Sequence, residues 1–264
     1  MGSRRGPEKS GPRPELGEMP GKKIARQRTP VEPGGKVPDE GAASLGELRA
    51  KAAACRACDL WRNATQTVFG EGAERSLAML VGEQPGDQED RAGRPFVGPA
   101  GALLDSVLSE VGIDRREVYV TNAVKHFKWE PRGKRRIHKR PGLQELAACK
   151  PWLKAEIESV KPLIVVCLGA TAAQAILGPK TRVTRDRGVL LASEFGLPVL
   201  LTVHPASILR SPDQKSREEA RGRFTQDMEK VASFLKDKEG VTFQDPNSSE
   251  PGDFKPNPAD PSRI

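Results

Sequence analysis

Four short, unbroken apolar runs limit what this chain can become. They are Leu77-Ala78-Met79-Leu80-Val81, Val118-Tyr119-Val120-Thr121, Leu163-Ile164-Val165-Val166-Cys167-Leu168 and Val199-Leu200-Leu201-Thr202-Val203. A strand with one wet face alternates apolar and polar residues, so solidly apolar runs belong to strands covered on both faces. Between them lie segments with helical spacing. Leu103, Leu104, Val107, Leu108 and Val111 follow Pro99, a residue suited to a first helical turn. Ser44 is placed to cap a helix through Leu45, Leu48 and Ala52. Leu143 to about Val160, Ala170 to Leu177 and roughly Asp213 to Lys236 predict three more helices. Strands alternating with helices predict an α/β fold, a three-layer α/β/α sandwich around a central four-stranded parallel sheet. The polar stretch from Asn122 to about Pro141 reads as a long loop.

Parallel sheets of this kind bind ligands beyond the carboxyl ends of their strands. Three chemically capable segments fall there: Glu83-Gln84 after the first run, Asn122 after the second and His204 after the last. Each has a bland reading alone, Asn122 as a turn residue and Glu83 as a solvated carboxylate. Their convergence on one edge is what counts.

Residues 1–44 are rich in Pro, Gly, Lys, Arg and Glu, and residues 239–264 carry Pro246, Pro251, Pro256, Pro258 and Pro261. Both bury too little to offset the entropy of ordering and are expected to be disordered, leaving 45–238 as the folded domain. The net charge of +8 points to an anionic partner, nucleic acid first. No apolar run approaches the roughly 18 residues of a membrane span. Arg4-Arg5 is followed by no apolar stretch, so a secretory signal is rejected. A bacterial cytoplasmic protein is expected, lying on the nucleoid when bound to DNA.

In the cytosol thiols stay reduced, so four cysteines favour a metal site over disulfides. Cys55 and Cys58 form a Cys-x-x-Cys pair; Cys149 and Cys167 stand about eighteen positions apart. Four thiolates suit a tetrahedral zinc or a [4Fe–4S] cluster, and the split second pair tilts toward iron–sulfur. Taken alone, Cys167 reads as a small apolar strand residue. A cluster here would tie the N-terminal helix to the sheet.

The expected loop holds a basic segment, Lys134-Arg135-Arg136-Ile137-His138-Lys139-Arg140, which places one imidazole among cations suited to phosphates. The plain reading is a solvated patch that grips a nucleic-acid backbone.

Four motifs together carry a resemblance: Gly82-Glu83-Gln84-Pro85-Gly86, Gly93-Arg94-Pro95-Phe96-Val97-Gly98, Thr121-Asn122-Ala123-Val124-Lys125 and His204-Pro205-Ala206-Ser207. With the four cysteines, they resemble the iron–sulfur branch of the uracil-DNA glycosylase superfamily over roughly residues 45–237. Two departures, Gln84 where Ala is usual and the Lys134–His138 insertion, resemble the UdgX group, whose members become covalently trapped on uracil-containing DNA.

The resemblance implies a [4Fe–4S] cluster on Cys55, Cys58, Cys149 and Cys167. It implies uracil-containing DNA as partner, with single strands accepted, and a protein acting as a monomer. Phe96 would stack on the extruded base, Asn122 would read its edge, and Gln84 and Asp87 would shape the pocket. His204 would stabilise negative charge at uracil O2, and Glu83 would stabilise the sugar cation or orient the nucleophile. Lys134, Arg135, Arg136, Lys139, Arg140 and Ser207 would hold the DNA. His138 would be the nucleophile that captures C1′, with protonation disfavoured by its five cationic neighbours. His126 is a rival nucleophile without that basic flank. Two other functions remain open: a turning-over iron–sulfur glycosylase with the loop as a clamp, and a non-catalytic, metal-stabilised DNA-binding module.

Overall fold

The computed structural model describes residues 44–239, with Gly2 besides. The tails expected over 1–44 and 239–264 fall outside the described residues except for Ser44 and Glu239. In chain order the elements are α1 (Leu45–Ala52), β1 (Ala78–Gly82), α2 (Asp87–Ala92), α3 (Pro99–Glu110), β2 (Val118–Asn122), β3 (Trp129–Arg132) and β4 (Arg135–His138). Then come α4 (Leu143–Val160), β5 (Ile164–Leu168), α5 (Ala170–Leu177), α6 (Val183–Asp186), β6 (Leu190–Ala192), β7 (Pro198–Thr202), α7 (Pro205–Leu209) and α8 (Gln214–Glu239).

The sheet runs β2-β1-β5-β7-β6. The first four strands are parallel and correspond to the four apolar runs; β6 is antiparallel to β7 and makes a fifth. A four-strand sheet was the expectation, and the difference lies at one edge. β6 has three residues, two exposed and one half-buried, so it lacks the apolar run that marks a doubly covered strand.

Side chains on β5 alternate between two cores. Val165 and Cys167 face a cluster with Leu48 of α1 and Trp152 and Leu153 of α4. Ile164, Val166 and Leu168 join Leu104 and Leu108 of α3 and Phe224 and Met228 of α8. Helices thus cover both faces, which is why these strands are apolar throughout. A capping box at Ser44 and Glu47 starts α1. Among the described residues no helix is long and apolar enough to cross a membrane.

The expected loop is a two-stranded antiparallel ribbon. β3 and β4 pair Trp129 with His138 and Arg132 with Arg135, turning at Gly133 (φ 59°) and Lys134. Its strands read Trp-Glu-Pro-Arg and Arg-Arg-Ile-His, with no alternation of apolar and polar residues for periodicity to reveal. One charged cluster lies inside the fold. Lys125 and Glu156 are an ion pair, each almost wholly buried. Lys125 Nζ also donates to Thr121 Oγ1 (2.7 Å) and to the Asn122 carbonyl (2.8 Å). Glu156 accepts from Tyr119 Oη, Thr121 Oγ1 and the Gly70 amide.

Candidate active site

The carboxyl ends of β1, β2 and β7 open on a cavity of about 670 Å³. Glu83, Gln84, Phe96, Asn122, His138 and His204 all line it, as do Arg136 and Ser207. Six side chains named for chemistry from separate motifs therefore meet in one place. Asp87 is absent from the lining, as are Lys134, Arg135, Lys139 and Arg140. The lining also includes Arg210, which no motif signalled beyond its closeness to the His204 segment.

Glycine stands at the end of β1 for a steric reason. A Cβ on Gly82 would come within 2.4 Å of Asn122 Oδ1 and 2.8 Å of Phe96 Cζ, so glycine lets amide and ring close over the strand end. Phe96 itself takes a positive φ of 56°, a costly conformation for a residue with a side chain. Gly101 accommodates that turn, since a Cβ there would lie 1.7 Å from the Phe96 carbonyl oxygen. The Phe96 ring stacks toward His204, centroids 6.1 Å apart and planes 20° apart.

His204 has a defined tautomer. Its Nδ1 accepts from the Ala206 amide at 3.1 Å, so a neutral ring carries its proton on Nε2. Burial, then the charges of Arg210 and His138, push its pKa down to about 4. It is a neutral hydrogen-bond donor at neutral pH.

Three residues hold the ribbon against this site. The Gln84 amide donates to the carbonyls of Lys128 and Lys139 and accepts from the Lys128 amide, each at 3.1 Å. Gln84, expected to shape the pocket, lines the cavity while its hydrogen-bonding groups engage the ribbon's two ends. Arg136, expected on DNA, points inward with 13% of its side chain exposed. It pairs with Asp87, reaches Asp90 at 2.5 Å and Thr65 Oγ1 at 3.2 Å, and lies over the rings of Phe127 and Trp129. Asp87 is therefore an anchor for the ribbon rather than a wall of the cavity.

Replacing Arg136 with Ala strands Asp90, which is fully buried. The expected loss is roughly 3 kcal/mol, read as a lower melting temperature together with faster proteolytic nicking of the ribbon. Arg136→Lys should restore little, because a point charge cannot fork between two carboxylates.

His138 stands at the end of β4 with its Nε2 3.5 Å from Glu83 Oε1. Its pKa is lowered, by burial first; Glu83 opposes the shift and Arg210 supports it. The five flanking cations were credited with this effect from sequence. In the fold they point elsewhere, and desolvation does most of it. Lys139 pairs with Glu130 at 2.8 Å, and Arg140 reaches over α5. Lys134 and Arg135 remain exposed at the ribbon tip. Ser207 Oγ donates to the His204 carbonyl at 2.7 Å.

Burial pushes the thiols of Cys58, Cys149 and Cys167 up, with neighbouring cysteines adding to the rise at Cys58 and Cys149. On Cys167, within β5, burial is the cause by itself. The Cys55 thiol accepts from Trp152 Nε1 (3.2 Å) and that of Cys149 from the Lys125 amide (3.4 Å).

Beside Lys125 lies His126, buried, with its Nε2 2.9 Å from Thr67 Oγ1. The Thr67 hydroxyl donates to the Ala52 carbonyl at 3.0 Å, so it accepts from Nε2–H. His126 Nδ1 then carries a lone pair and has no partner. The amide of the preceding residue, Lys125, donates to Cys149 Sγ, and an orphaned, unprotonated ring nitrogen on this segment has the chemistry of a metal ligand. Among the described residues no three such side chains converge tightly enough for a single ion.

Fold and site define a class: α/β proteins with a cavity lined by polar and aromatic side chains at the carboxyl edge of a parallel sheet. Residues 69–229 match the model of the uracil DNA glycosylase superfamily, and the chain belongs to that superfamily. It is 42% identical over 187 residues to the type-4 uracil-DNA glycosylase of Thermotoga maritima, covering 70% of this chain and 91% of that protein. To the type-4 enzyme of Archaeoglobus fulgidus it is 33% identical over 207 residues, covering 76% and 98%. A type-5 uracil-DNA glycosylase of Pyrobaculum aerophilum is 33% identical over 155 residues, covering 52% of this chain and 64% of that protein.

Proposed function

We propose that this chain excises uracil from DNA. The observation that carries the reading is the meeting of Phe96, Asn122, Glu83 and His204 in one cavity of a chain with this ancestry. The base must leave the stack, or come from a single strand. Phe96 then covers its face, and the Asn122 amide donates to O4 and accepts from N3–H, which cytosine cannot match. His204 Nε2–H is the donor for O2. As the C1′–N1 bond breaks, its electron pair leaves with the base, and the neutral donor stabilises that charge without a proton transfer. Glu83 faces the positive charge that grows on the sugar. The names of the type-4 relatives support turnover, with water completing the reaction.

One observation favours a further step. Gln84 and Arg136 hold a ribbon whose last residue, His138, stands beside Glu83 within the cavity. In this second reading, that of the UdgX group, a lone pair of the neutral imidazole forms the bond to C1′ in place of water. The ring becomes a cation, Glu83 holds it, and the second ring nitrogen later gives up its proton. With no assistance to leave, the alkylated histidine persists and the protein acts once. Lys134 and Arg135 at the ribbon tip would hold phosphates, so initial binding weakens with salt. The protein would act as a cytoplasmic monomer and accept single strands.

The test is a labelled uracil-containing strand mixed with the protein and run on a denaturing gel beside a thymine control. Free uracil in excess over protein supports turnover, and a uracil-dependent band that survives boiling supports capture. Neither product would sink both readings. Capture also carries a pH signature. Burial holds the His138 pKa below the ordinary histidine value, so its lone pair is present through neutrality and is lost only in acid. The adduct-forming rate should stay flat from pH 8 to below about 6.5 and then fall. A fall centred above that value would contradict a desolvated nucleophile.

The iron–sulfur cluster implied by the resemblance fits Cys55, Cys58, Cys149 and His126 better than four cysteines. When bound it supplies a structural tie between the end of α1 and α4. Cys167→Ala should keep its iron and its visible absorption, while His126→Ala should lose or alter them. Equal iron loss in both variants would restore Cys167 to the ligand set.

A further inference from the structure

The carboxylate nearest the nucleophile needs a holder, because Glu83 could rotate freely at the end of a strand. The structure supplies one that no motif marks. Thr171, the second residue of α5, is buried outside the cavity lining. Its hydroxyl contacts Glu83 Oε2 on one side, and on the other Arg140 Nε at 3.1 Å. Arg140 also donates to Gln174 Oε1 at 3.2 Å and lies 4.0 Å from Glu83 Oε2. The direction of each bond is forced. Arginine only donates and a carboxylate only accepts, so the hydroxyl accepts from Arg140 and gives its single proton to Glu83. Oε2 is thereby engaged, and Oε1 is the oxygen that faces His138 at 3.5 Å.

We propose that Thr171 is a positioning residue that fixes the rotamer of Glu83 and, through Arg140, links that carboxylate to the ribbon carrying His138. Arg140 follows His138 by two residues, so docking of the ribbon polarises the hydroxyl and orients Glu83 in one event. A carboxylate fixed this way meets developing charge on the sugar without having to reorganise. A helix-capping role for the hydroxyl is not what the structure shows, since Gly169 occupies the cap and no side chain bonds there. This inference rests on the uracil-excision reading.

The test compares wild type with Thr171→Val, Thr171→Ser and Arg140→Gln. The probe is a uracil-containing single strand with protein in excess, and the readouts are uracil release and boil-resistant adduct. Affinity is measured on the same strand with thymine in place of uracil. Valine keeps the shape and loses the proton, so the rate of uracil release should fall roughly 10- to 100-fold, the range of a charge-assisted hydrogen bond, with affinity unchanged. Serine should return the rate to near the wild-type value. A threonine that merely packs would give the opposite order, with valine tolerated and serine impaired. A folded Thr171→Val protein at the wild-type rate overturns the proposal. If that variant fails to fold, Arg140→Gln decides: slower release supports the link and a wild-type rate overturns it. Wild-type protein that releases no uracil overturns the glycosylase reading, and this inference with it.

Discussion

On the capture reading, replacing His138 with Ser should abolish the boil-resistant adduct and leave a protein that releases uracil repeatedly. The effect is then all or none, because on that reading one atom makes the bond to C1′. The groups assigned to base cleavage lie on other elements: His204 after β7, Asn122 at the end of β2, and Phe96 ahead of α3. The ribbon should stay docked, since Gln84 and Arg136 hold it without help from the imidazole. Serine also leaves space for a water where the ring stood, so a hydrolytic route opens. The measurement is the ratio of free uracil to protein over time, with the gel run in parallel. A His138→Ser protein that excises nothing would mean the imidazole is needed for cleavage itself, and the division of roles would fail. An adduct that persists would put the nucleophile elsewhere.

Lys125→Met should be the most destabilising single change near the site. Both members of the Lys125–Glu156 pair are almost wholly buried. Removing one leaves a charge in a medium that solvates it poorly, at a cost of about 3–5 kcal/mol. In a domain of this size that is on the order of a 10 °C fall in melting temperature. Lys125→Met with Glu156→Leu should recover much of the loss, because the stranded carboxylate goes too. Function should not recover with it. Lys125 Nζ also holds the Asn122 carbonyl at 2.8 Å, so both variants should discriminate uracil from cytosine less sharply. A single variant that melts like wild type would show the pair to be dispensable, and full selectivity in the double variant would free Asn122 from dependence on Lys125.

The resemblance at four motifs holds at the level of the superfamily, and the parallel sheet is the one its apolar runs predict. Runs apolar throughout mean burial on both faces, a local property that tertiary context seldom overrides. The ribbon β3–β4 was hidden because its pairing rests on Gln84, Gly133 and Arg136 rather than on an apolar face. The contacts of Gln84, Arg136 and Asp87 within the fold were likewise not legible, since whether a polar side chain faces a cavity or a neighbouring backbone depends on distant chain. His126 shows the same limit. Beside a strand it looked like a rival nucleophile, and only its bond to Thr67 reveals that its other ring nitrogen is buried without a partner.

By itself the sequence determined the layers of this protein and the strand ends at which its chemistry would gather, because hydrophobic periodicity and chain direction are encoded residue by residue. The tertiary structure alone decided which polar groups face one another. It made burial the first cause of the lowered His138 pKa, with Arg210 rather than the flanking cations behind it, and it set Arg136 against Asp87 and Asp90. It also brought Thr171 to Glu83 across 88 residues of chain. Hydrogen-bond polarity and desolvation are properties of neighbourhoods, and neighbourhoods exist only after the chain has folded.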